Sequence, residues 1–485
     1  MRAFAGGYYT SLMALYNYFG VSFRQQEFLF QFARTEDNGE SSSGKTVNES
    51  AYFIHASNNH RMPPVKPVGI SWFRYVLEVL YLFVIYSYFT FCCFFFPPKT
   101  RKFESSSAVP TGHTESLRDY FNRINLPQYF IDSYILPLMS SVTTCPHENL
   151  LDFPASDVAG YKKRMHKQPH YMVEGGVCRI QRRLLEGIKI GMNRRVLSVQ
   201  KMTDGQILLR WEEWDPVNAG QKVTFEKYFD QVILAVSPMV VAKIYKSLSK
   251  QMAKIPCCET EVIAHYDERI VEDVLGGETR KEILEQTDKP YDKICEKVNG
   301  LTFPSLRLEK LLGTNNRLLG KTAAHTIQFR TTTRKSNIKF NNDATPWRLF
   351  NGTASCTRTN SLVTESTHIH PPGVLLTTST CTRLDQSKVI GGSRFVRVLR
   401  TPESRDVVEC IFREKVVMVP KGYRDEGEET LLGDQEWRNG DDGVWLTGGW
   451  CWDGMVLLEG CVRSAMKVAK GLGCEVPWEM EAGVF

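Results

Sequence analysis

The stretch from Gly443 to Gly473, GVWLTGGWCWDGMVLLEGCVRSAMKVAKGLG, decides the fold of this chain. Its first residues, Val444 to Thr447, are mostly apolar and predict a short buried strand. Gly448 and Gly449 follow, and a backbone without Cβ atoms can approach a ligand closely. From about Leu457 onward the apolar residues recur three or four positions apart, which predicts a helix with one apolar face. The segment therefore predicts a strand, a glycine-rich loop and a helix whose free N-terminal amides suit an electron-rich ligand edge.

Two interpretations of this unit stay open on the residues alone. Strand-loop-helix units of α/β proteins also serve packing without any ligand. Trp450 and Trp452 in the loop either stack beside a bound cofactor and wall a cavity, or they are buried packing residues.

A second segment, YMVEGGVCRIQRRLLEGIKIGMNRRVLSVQ from Tyr171 to Gln200, continues into a further run of strand-forming residues. The glycine doublet Gly175-Gly176 precedes a predicted helix from Ile180 to Ile188. A hairpin turn is predicted at Asp204-Gly205, and an apolar strand from Val232 to Val236.

Both segments resemble flavin-binding segments of the flavin-containing amine oxidase superfamily, in its fungal FAD/NAD(P)-binding, amine oxidase-like branch. The resemblance implies an α/β (α+β) fold of two domains: an incomplete FAD-binding Rossmann-like domain, and a substrate domain of mixed sheet and helices. It implies FAD as the cofactor, with the backbone of Val196 against the adenine and the loop and helix start against the isoalloxazine and ribityl chain. If no FAD binds, Val196 is an ordinary core valine. The implied cofactor-binding residues are Val196, Gly448, Gly449, Trp450, Met455, Leu457, Leu458 and Glu459.

The chain departs from that superfamily in two places. The phosphate-binding motif G-x-G-x-x-G, which holds the pyrophosphate in dinucleotide folds, occurs nowhere in the 485 residues. Met1 is followed almost at once by FAGGYYTSLMALYNYFGV, which resembles the family segment after that unit, so we expect about fifty to sixty family residues to be missing from the front. Either the gene model begins too late, or the chain is a relative that has lost this grip. The second departure is Trp450, which stands where the superfamily usually has an acidic residue.

An apolar stretch of 18 residues without charge, VLYLFVIYSYFTFCCFFF, runs from Val79 to Phe96. It is just long enough to span a bilayer, and Lys99, Arg101 and Lys102 follow it. Three arrangements are open: a membrane-spanning helix, an interfacial helix, and a buried core helix. We expect a membrane location, single-pass or interfacial, on the intracellular side, and a small-molecule or lipid-like substrate.

The composition fits a large folded chain, with 42% hydrophobic and 24% charged residues. The net charge of +6 comes from scattered Lys and Arg residues, so no nucleic-acid partner is expected. Thirteen cysteines without C-x-x-C spacing indicate neither a zinc site nor a disulfide framework. His368 and His370 lack matching partners, so no metal site is expected there.

The expected regions follow one another in six parts. They are the start of the substrate-side region (1–60), an apolar membrane or interfacial helix (61–110), a helical substrate cap (111–190), FAD-domain strands (191–250), a substrate sheet (251–430) and the C-terminal FAD-binding unit (431–485). Within the substrate sheet, the Thr-, Asn- and Ser-rich tract 331–367 is expected to be an insertion, a disordered loop or retained non-coding sequence.

No nucleophile, acid-base or metal motif occurs, so no catalytic residue is assigned. Flavin enzymes need few catalytic side chains, because the flavin itself accepts the hydride. Two functions remain open. The first is an FAD-dependent oxidoreductase of the amine oxidase type, which transfers a hydride from an apolar or amine-like substrate to flavin. The second is a membrane-associated non-catalytic relative, a pseudoenzyme or a truncated gene model, that binds no flavin.

Overall fold

The computed structural model describes residues 3–34, 50–59, 62–101, 113–174, 177–214, 222–268, 325–334, 361–369, 374–382, 384–413 and 437–480. Gly175, Gly176 and His370 lie outside these ranges, as do residues 335–360 of the Thr-rich tract.

The helices of the described chain are mostly short, and many begin after a proline. Pro127, Pro146 and Pro154 each stand directly before a helix, where a missing amide costs nothing. The helices are α1 (Thr10–Tyr18), α2 (Trp72–Phe95), α3 (Leu117–Arg123), α4 (Gln128–Phe130), α5 (Leu136–Thr143), α6 (His147–Leu151), α7 (Ala155–Met165), α8 (Val177–Leu185), α9 (Pro238–Ile244), α10 (Ser249–Met252), α11 (Pro402–Phe412), α12 (Leu458–Gly471) and α13 (Pro477–Met480).

The strands form one large sheet and three small ones. They are β1 (Ala3–Ala5), β2 (Phe23–Gln25), β3 (Phe28–Arg34), β4 (Ser50–Ala56), β5 (His170–Val173), β6 (Arg194–Lys201), β7 (Ile207–Trp214), β8 (Lys222–Phe229), β9 (Val232–Leu234), β10 (Cys257–His265), β11 (His325–Arg334), β12 (Ser361–Ile369), β13 (Leu375–Thr378), β14 (Val389–Val398) and β15 (Val444–Leu446). The mixed α/β class expected from the sequence is therefore confirmed.

The large sheet has seven strands in the order β14-β10-β13-β12-β11-β3-β4. Its pairs are antiparallel except β11 with β3, where Phe329 lies opposite Phe32. Side chains alternate between the two faces of a strand, so Phe28, Phe30 and Phe32 share one face. That face packs against the helical cap, because Phe32 and Phe329 belong to the same core as α5 and α7.

Three small sheets contain the other described strands. Their orders are β1-β5-β2, β6-β7-β8 and β15-β9. The predicted Asp204-Gly205 turn joins β6 to β7, with Gly205 at φ +90°. The two apolar strands predicted from the sequence pair in parallel, Val444 opposite Val232.

Two large hydrophobic cores account for most of the buried apolar side chains. The first joins α1, the helical cap and the large sheet, and it also contains Trp452, Met455 and Leu457. The second joins the β6-β7 hairpin, the β9-β15 pair, α9 and α11, and it also contains Trp450. The glycine-rich loop before α12 therefore runs from one core to the other.

Helix α2 begins at Trp72 rather than at Val79. Ser71 stands before it, and its hydroxyl accepts a hydrogen bond from the Arg74 amide at 3.3 Å, which is an N-cap. The helix ends at Phe95, shortly before two prolines that cannot continue it. Within the described part of the chain it alone is long and apolar enough to cross a membrane, with a mean hydropathy of 1.8. Core helices of soluble proteins pass the same test, but only 17% of this apolar window is buried.

Both described ends of the Thr-rich tract are strands. Strand β11 continues to Arg334 and β12 begins at Ser361, so the alternative of a disordered loop is wrong for these two parts. Threonine favours strands, and the hydroxyls of Thr331 and Thr364 lie 2.9 Å apart across the two strands.

Candidate functional site

The glycine-rich loop between β15 and α12 is tied to the side of its own helix. Gly448 has a φ of +148°, a conformation that L side chains rarely adopt, which explains glycine at this position. The buried hydroxyl of Ser464 on α12 accepts a hydrogen bond from the Gly448 amide at 3.0 Å. It also lies 3.1 Å from the Gly448 carbonyl oxygen.

Both loop tryptophans are buried, as the packing interpretation expects. The indole N–H of Trp450 donates to the carbonyl of Val236 at 3.1 Å. The indole N–H of Trp452 donates to the carbonyl of Met455 at 2.9 Å, and Met455 itself is fully buried. Each indole is therefore anchored by a backbone oxygen, as buried tryptophans usually are.

Replacing Gly460 with alanine is expected to destabilise the fold. The added Cβ would lie 2.3 Å from two indole atoms of Trp452 and 2.7 Å from the carbonyl oxygen of Gly449. Overpacking of this kind costs about 1–3 kcal/mol, which urea denaturation measures as a lower free energy of unfolding.

Gly160→Ala in α7 is the matched control. No atom lies within 4 Å of the Cβ that it adds, so this helix should gain about 0.5–1 kcal/mol. Similar effects at Gly160 and Gly460 would contradict the packing described here.

The side chain of Glu459, an expected cofactor contact, caps α1. It is fully buried, and its carboxylate accepts hydrogen bonds from the amides of Ser11 and Leu12, each at 3.0 Å. The guanidinium of Arg463, one turn further along α12, donates to the same carboxylate at 2.8 Å. A carboxylate in this position satisfies amides that have no partner within their own helix. A cofactor contact at Glu459 is therefore left to its backbone amide.

Helix α12 starts without a side-chain cap of its own. Leu457 precedes it in an extended conformation, with φ −130° and ψ 176°, and no side chain accepts a hydrogen bond there. Among the described residues, the amides of Leu458 and Glu459 have no acceptor. The positive end of the helix dipole adds to these two free donors, so the position favours an electron-rich group.

The hydroxyl of Tyr9 is buried without a hydrogen-bond partner in the described part of the chain. Burial raises the pKa of Tyr9 well above its usual value, and the neighbouring tyrosines Tyr161 and Tyr8 act in the same direction. The group is therefore a neutral hydroxyl. Tyr9 directly precedes α1, the helix that Glu459 caps, and the Glu459 carboxylate is one of the nearby groups that raise the pKa of Tyr9.

Aromatic rings surround this position. The ring centroid of Tyr8 lies 5.2 Å from that of Tyr9, 4.7 Å from that of Tyr161 and 5.9 Å from that of Trp452, all edge to face. All four rings are buried in the first core, and the Trp452 indole lies over Gly460 of α12.

A half-buried arginine ties the large sheet to the loop. Arg397 on β14 donates from Nε to the carbonyl of Thr143 at 2.9 Å and from Nη2 to the carbonyl of Val456 at 3.1 Å. Burial lowers the pKa of Arg397, and nearby Cys145 and Tyr9 oppose that shift.

Sequence reasoning missed both Tyr9 and Arg397. The sequence signal near Tyr9 is the glycine doublet Gly6-Gly7, because glycine allows two backbones to approach closely. The structure explains Gly7, since a Cβ there would lie 2.0 Å from the carbonyl oxygen of Arg164. No comparable pattern marks Arg397.

Val196, the predicted adenine contact, lies outside the glycine-rich loop. It is half-buried on β6, next to a bulge before Ser198, and it packs against the core that contains Trp450. A solvent-open cavity of about 560 Å³ lies at the start of the same strand and is lined by Asn193, Arg194, Arg195, Glu212 and Lys222.

The predicted cofactor residues thus fall into two groups. Trp450 and Val196 belong to the second core, whereas Met455 and Leu457 belong to the first, with Leu458 packed against it. Among the described residues, the start of α12 offers two amides without an acceptor, and such a position favours an electron-rich group.

No family model matches the chain, and no curated protein matches it. The solved structures that align with the chain include the following two. Cyclohexylamine oxidase from Brevibacterium oxydans IH-35A is 9% identical, covering 97% of this chain and 86% of its own, with a TM-score of 0.42. A double mutant of putrescine oxidase, from a redesign of cofactor binding, is also 9% identical, covering 97% and 87%, with a TM-score of 0.40. At these values the similarity assigns neither a cofactor nor a substrate, so the site residues carry the functional argument.

Proposed function

We propose that this chain is an FAD-dependent oxidoreductase of the amine oxidase type, with the flavin edge bound at the start of α12. The observation that supports this proposal is the pair of free amides at Leu458 and Glu459, next to the buried and unused hydroxyl of Tyr9. Buried polar groups normally have partners, so three unused donors in one neighbourhood suit an acceptor-rich ligand.

In this proposal each residue has a distinct task. The amides of Leu458 and Glu459 donate to the flavin edge, and the carboxylate of Glu459 holds α1 and therefore Tyr9 in place. Arg397 fixes the carbonyl of Val456, directly before the helix start, to the large sheet. The FAD supplies the hydride acceptor when bound.

The proposed substrate is an apolar or amine-like molecule. The wall formed by Tyr8, Tyr161 and Trp452 is aromatic. Such a wall can contact an apolar group, or a cation placed over the face of a ring. Exclusion of water by this wall suits hydride transfer, which needs a positioned donor rather than a charged catalyst.

A proline at position 458 tests the amide directly. Leu458→Pro removes the first free N–H, and proline is well tolerated at the first position of a helix. Leu458→Ala removes the side chain but keeps the amide, so it is the matched control. We expect FAD, titrated by its fluorescence, to bind Leu458→Pro at least about tenfold more weakly than Leu458→Ala, because one hydrogen-bond donor at the positive end of the helix dipole is lost.

Two results would contradict this proposal. One is equal FAD affinity in both Leu458 variants, which would place the cofactor elsewhere. The other is FAD-loaded protein that keeps its flavin absorbance when each of a panel of apolar primary amines is added in the absence of oxygen.

A non-catalytic relative that binds no flavin is the second candidate. It is favoured by Trp452, whose indole already fills the space over Gly454 and Gly460, where a ligand could otherwise approach the backbone. This candidate predicts a folded chain that retains no FAD, and the titration above separates the two candidates.

A further inference from the structure

Helix α2 has a continuous apolar face that no other part of the described chain covers. The side chains of Phe73, Phe83 and Phe95 are 76%, 72% and 70% exposed. The other exposed apolar side chains of this face are Trp72, Val76, Leu77, Leu80, Val84, Tyr86, Phe91 and Phe94. From Phe73 to Phe95 this face is about 33 Å long, at the rise of an α-helix. Soluble monomers rarely expose a contiguous apolar strip of this size.

The opposite face of α2 is fixed to the helical cap along the whole helix. Phe89 packs edge to face with Phe121 and Phe130, with ring centroids 6.2 Å apart in each case. Cys92 and Cys93 are buried in the same core.

Polar groups also hold this inner face. The carboxylate of Glu78, near the start of α2, accepts hydrogen bonds from the hydroxyls of Tyr129, at 2.9 Å, and Tyr134. Further along, the hydroxyl of Tyr88 donates to the carbonyl of Ile124 at 2.6 Å. A helix that crossed a bilayer would carry these groups and the attached cap into the hydrocarbon, which is costly. The packed helix is therefore suited to lie in the plane of a membrane surface.

The rim of the apolar face is basic. The ammonium groups of Lys162 and Lys163 on α7 lie 4.5 Å and 5.9 Å from the ring centroids of Tyr86 and Phe94. At the start of the helix, Lys66 lies 5.8 Å from the ring centroid of Trp72. Aromatic rings beside lysines are typical of the interface between lipid headgroups and hydrocarbon. The single acidic residue of α2, Glu78, is turned toward the cap rather than toward this rim.

We propose that α2 docks this chain flat on the surface of an anionic phospholipid bilayer. The apolar face enters the boundary between headgroups and acyl chains, and the lysines contact the anionic headgroups. A groove of about 500 Å³ opens on the same face between Tyr86, Thr90, Phe94 and His166, and it offers room for part of a lipid chain. This docking uses α2, α7 and Lys66 and is independent of flavin.

Vesicle flotation of the full chain tests the docking. Vesicles of phosphatidylcholine with phosphatidylserine are expected to carry the protein upward, and vesicles of phosphatidylcholine alone to carry less of it. The double variant Phe73→Glu, Phe83→Glu should bind at least about tenfold more weakly, because two aromatic side chains no longer leave water. Lys162→Glu with Lys163→Glu should remove the preference for phosphatidylserine.

Val223→Glu with Tyr228→Glu on β8 is the matched control, because these side chains are exposed but belong to the β6-β7-β8 sheet rather than to α2. It should float like the unchanged protein, and all variants should keep the same thermal unfolding. Equal flotation of the Phe73, Phe83 variant would overturn the proposal. So would resistance to extraction by alkaline carbonate, which indicates a spanning helix, or a lipid-free dimer that this variant dissociates, which indicates a contact between two copies.

Discussion

Replacing Arg400 with methionine is expected to lower the free energy of unfolding by about 3–5 kcal/mol, because it leaves a buried charge with less compensation. Arg400 and Asp157 are both buried, and Nε of the arginine lies 3.6 Å from Oδ2 of the aspartate. Burial raises the pKa of Asp157, while Arg400 and Arg405 act to lower it. Arg400 also donates to the carbonyl of Trp450 at 2.9 Å, so its loss loosens the glycine-rich loop.

A double variant distinguishes a charge effect from a general loss of packing. Arg400→Met with Asp157→Leu removes both buried charges, so its loss should be smaller than the sum of the two single losses. Arg394→Ala removes an exposed ion pair with Glu261, 3.1 Å long, and should change the free energy by only about 0–1 kcal/mol. Strictly additive losses in urea denaturation would contradict the pairing of Arg400 with Asp157.

Replacing Glu459 with glutamine is expected to cost about 2–4 kcal/mol of stability. The glutamine side chain has one acceptor oxygen, so one of the buried amides of Ser11 and Leu12 then faces an NH₂ group. The lost negative charge also weakens the interaction with the N-terminal end of α1. Urea denaturation measures the loss, and hydrogen exchange of the Ser11 and Leu12 amides should become faster.

The control for this prediction is Arg463→Gln. Arg463 donates to the same carboxylate but is 41% exposed, so its loss should cost about 0.5 kcal/mol or less. Unchanged exchange of the two α1 amides in Glu459→Gln would show that Glu459 does not cap this helix.

The strand, loop and helix at the C-terminus could be predicted because their signals are local. The observed strand Val444–Leu446 and helix Leu458–Gly471 match the apolar run and the periodicity that predicted them. The Asp204-Gly205 turn was equally clear, since its geometry requires a positive φ at Gly205. In α2 the uncharged run was recognised but not its start at Trp72, because Glu78 interrupts the run and finds its partners on the helical cap.

The roles within the site could not be predicted, because they depend on contacts between distant residues. Glu459 binds an amide 448 positions away, and no local pattern announces that pairing. The same holds for Arg397, whose partners are carbonyls at Thr143 and Val456. The hydroxyl of Tyr9 becomes a buried donor without a partner only when the helical cap folds against Tyr9.

The absorbance spectrum of the purified chain, after incubation with FAD and desalting, tests the central claim most directly. We predict that the flavin band at ~450 nm stays with the protein at about one FAD per chain. A folded protein that comes through desalting colourless would contradict flavin binding at the start of α12 and favour the non-catalytic relative.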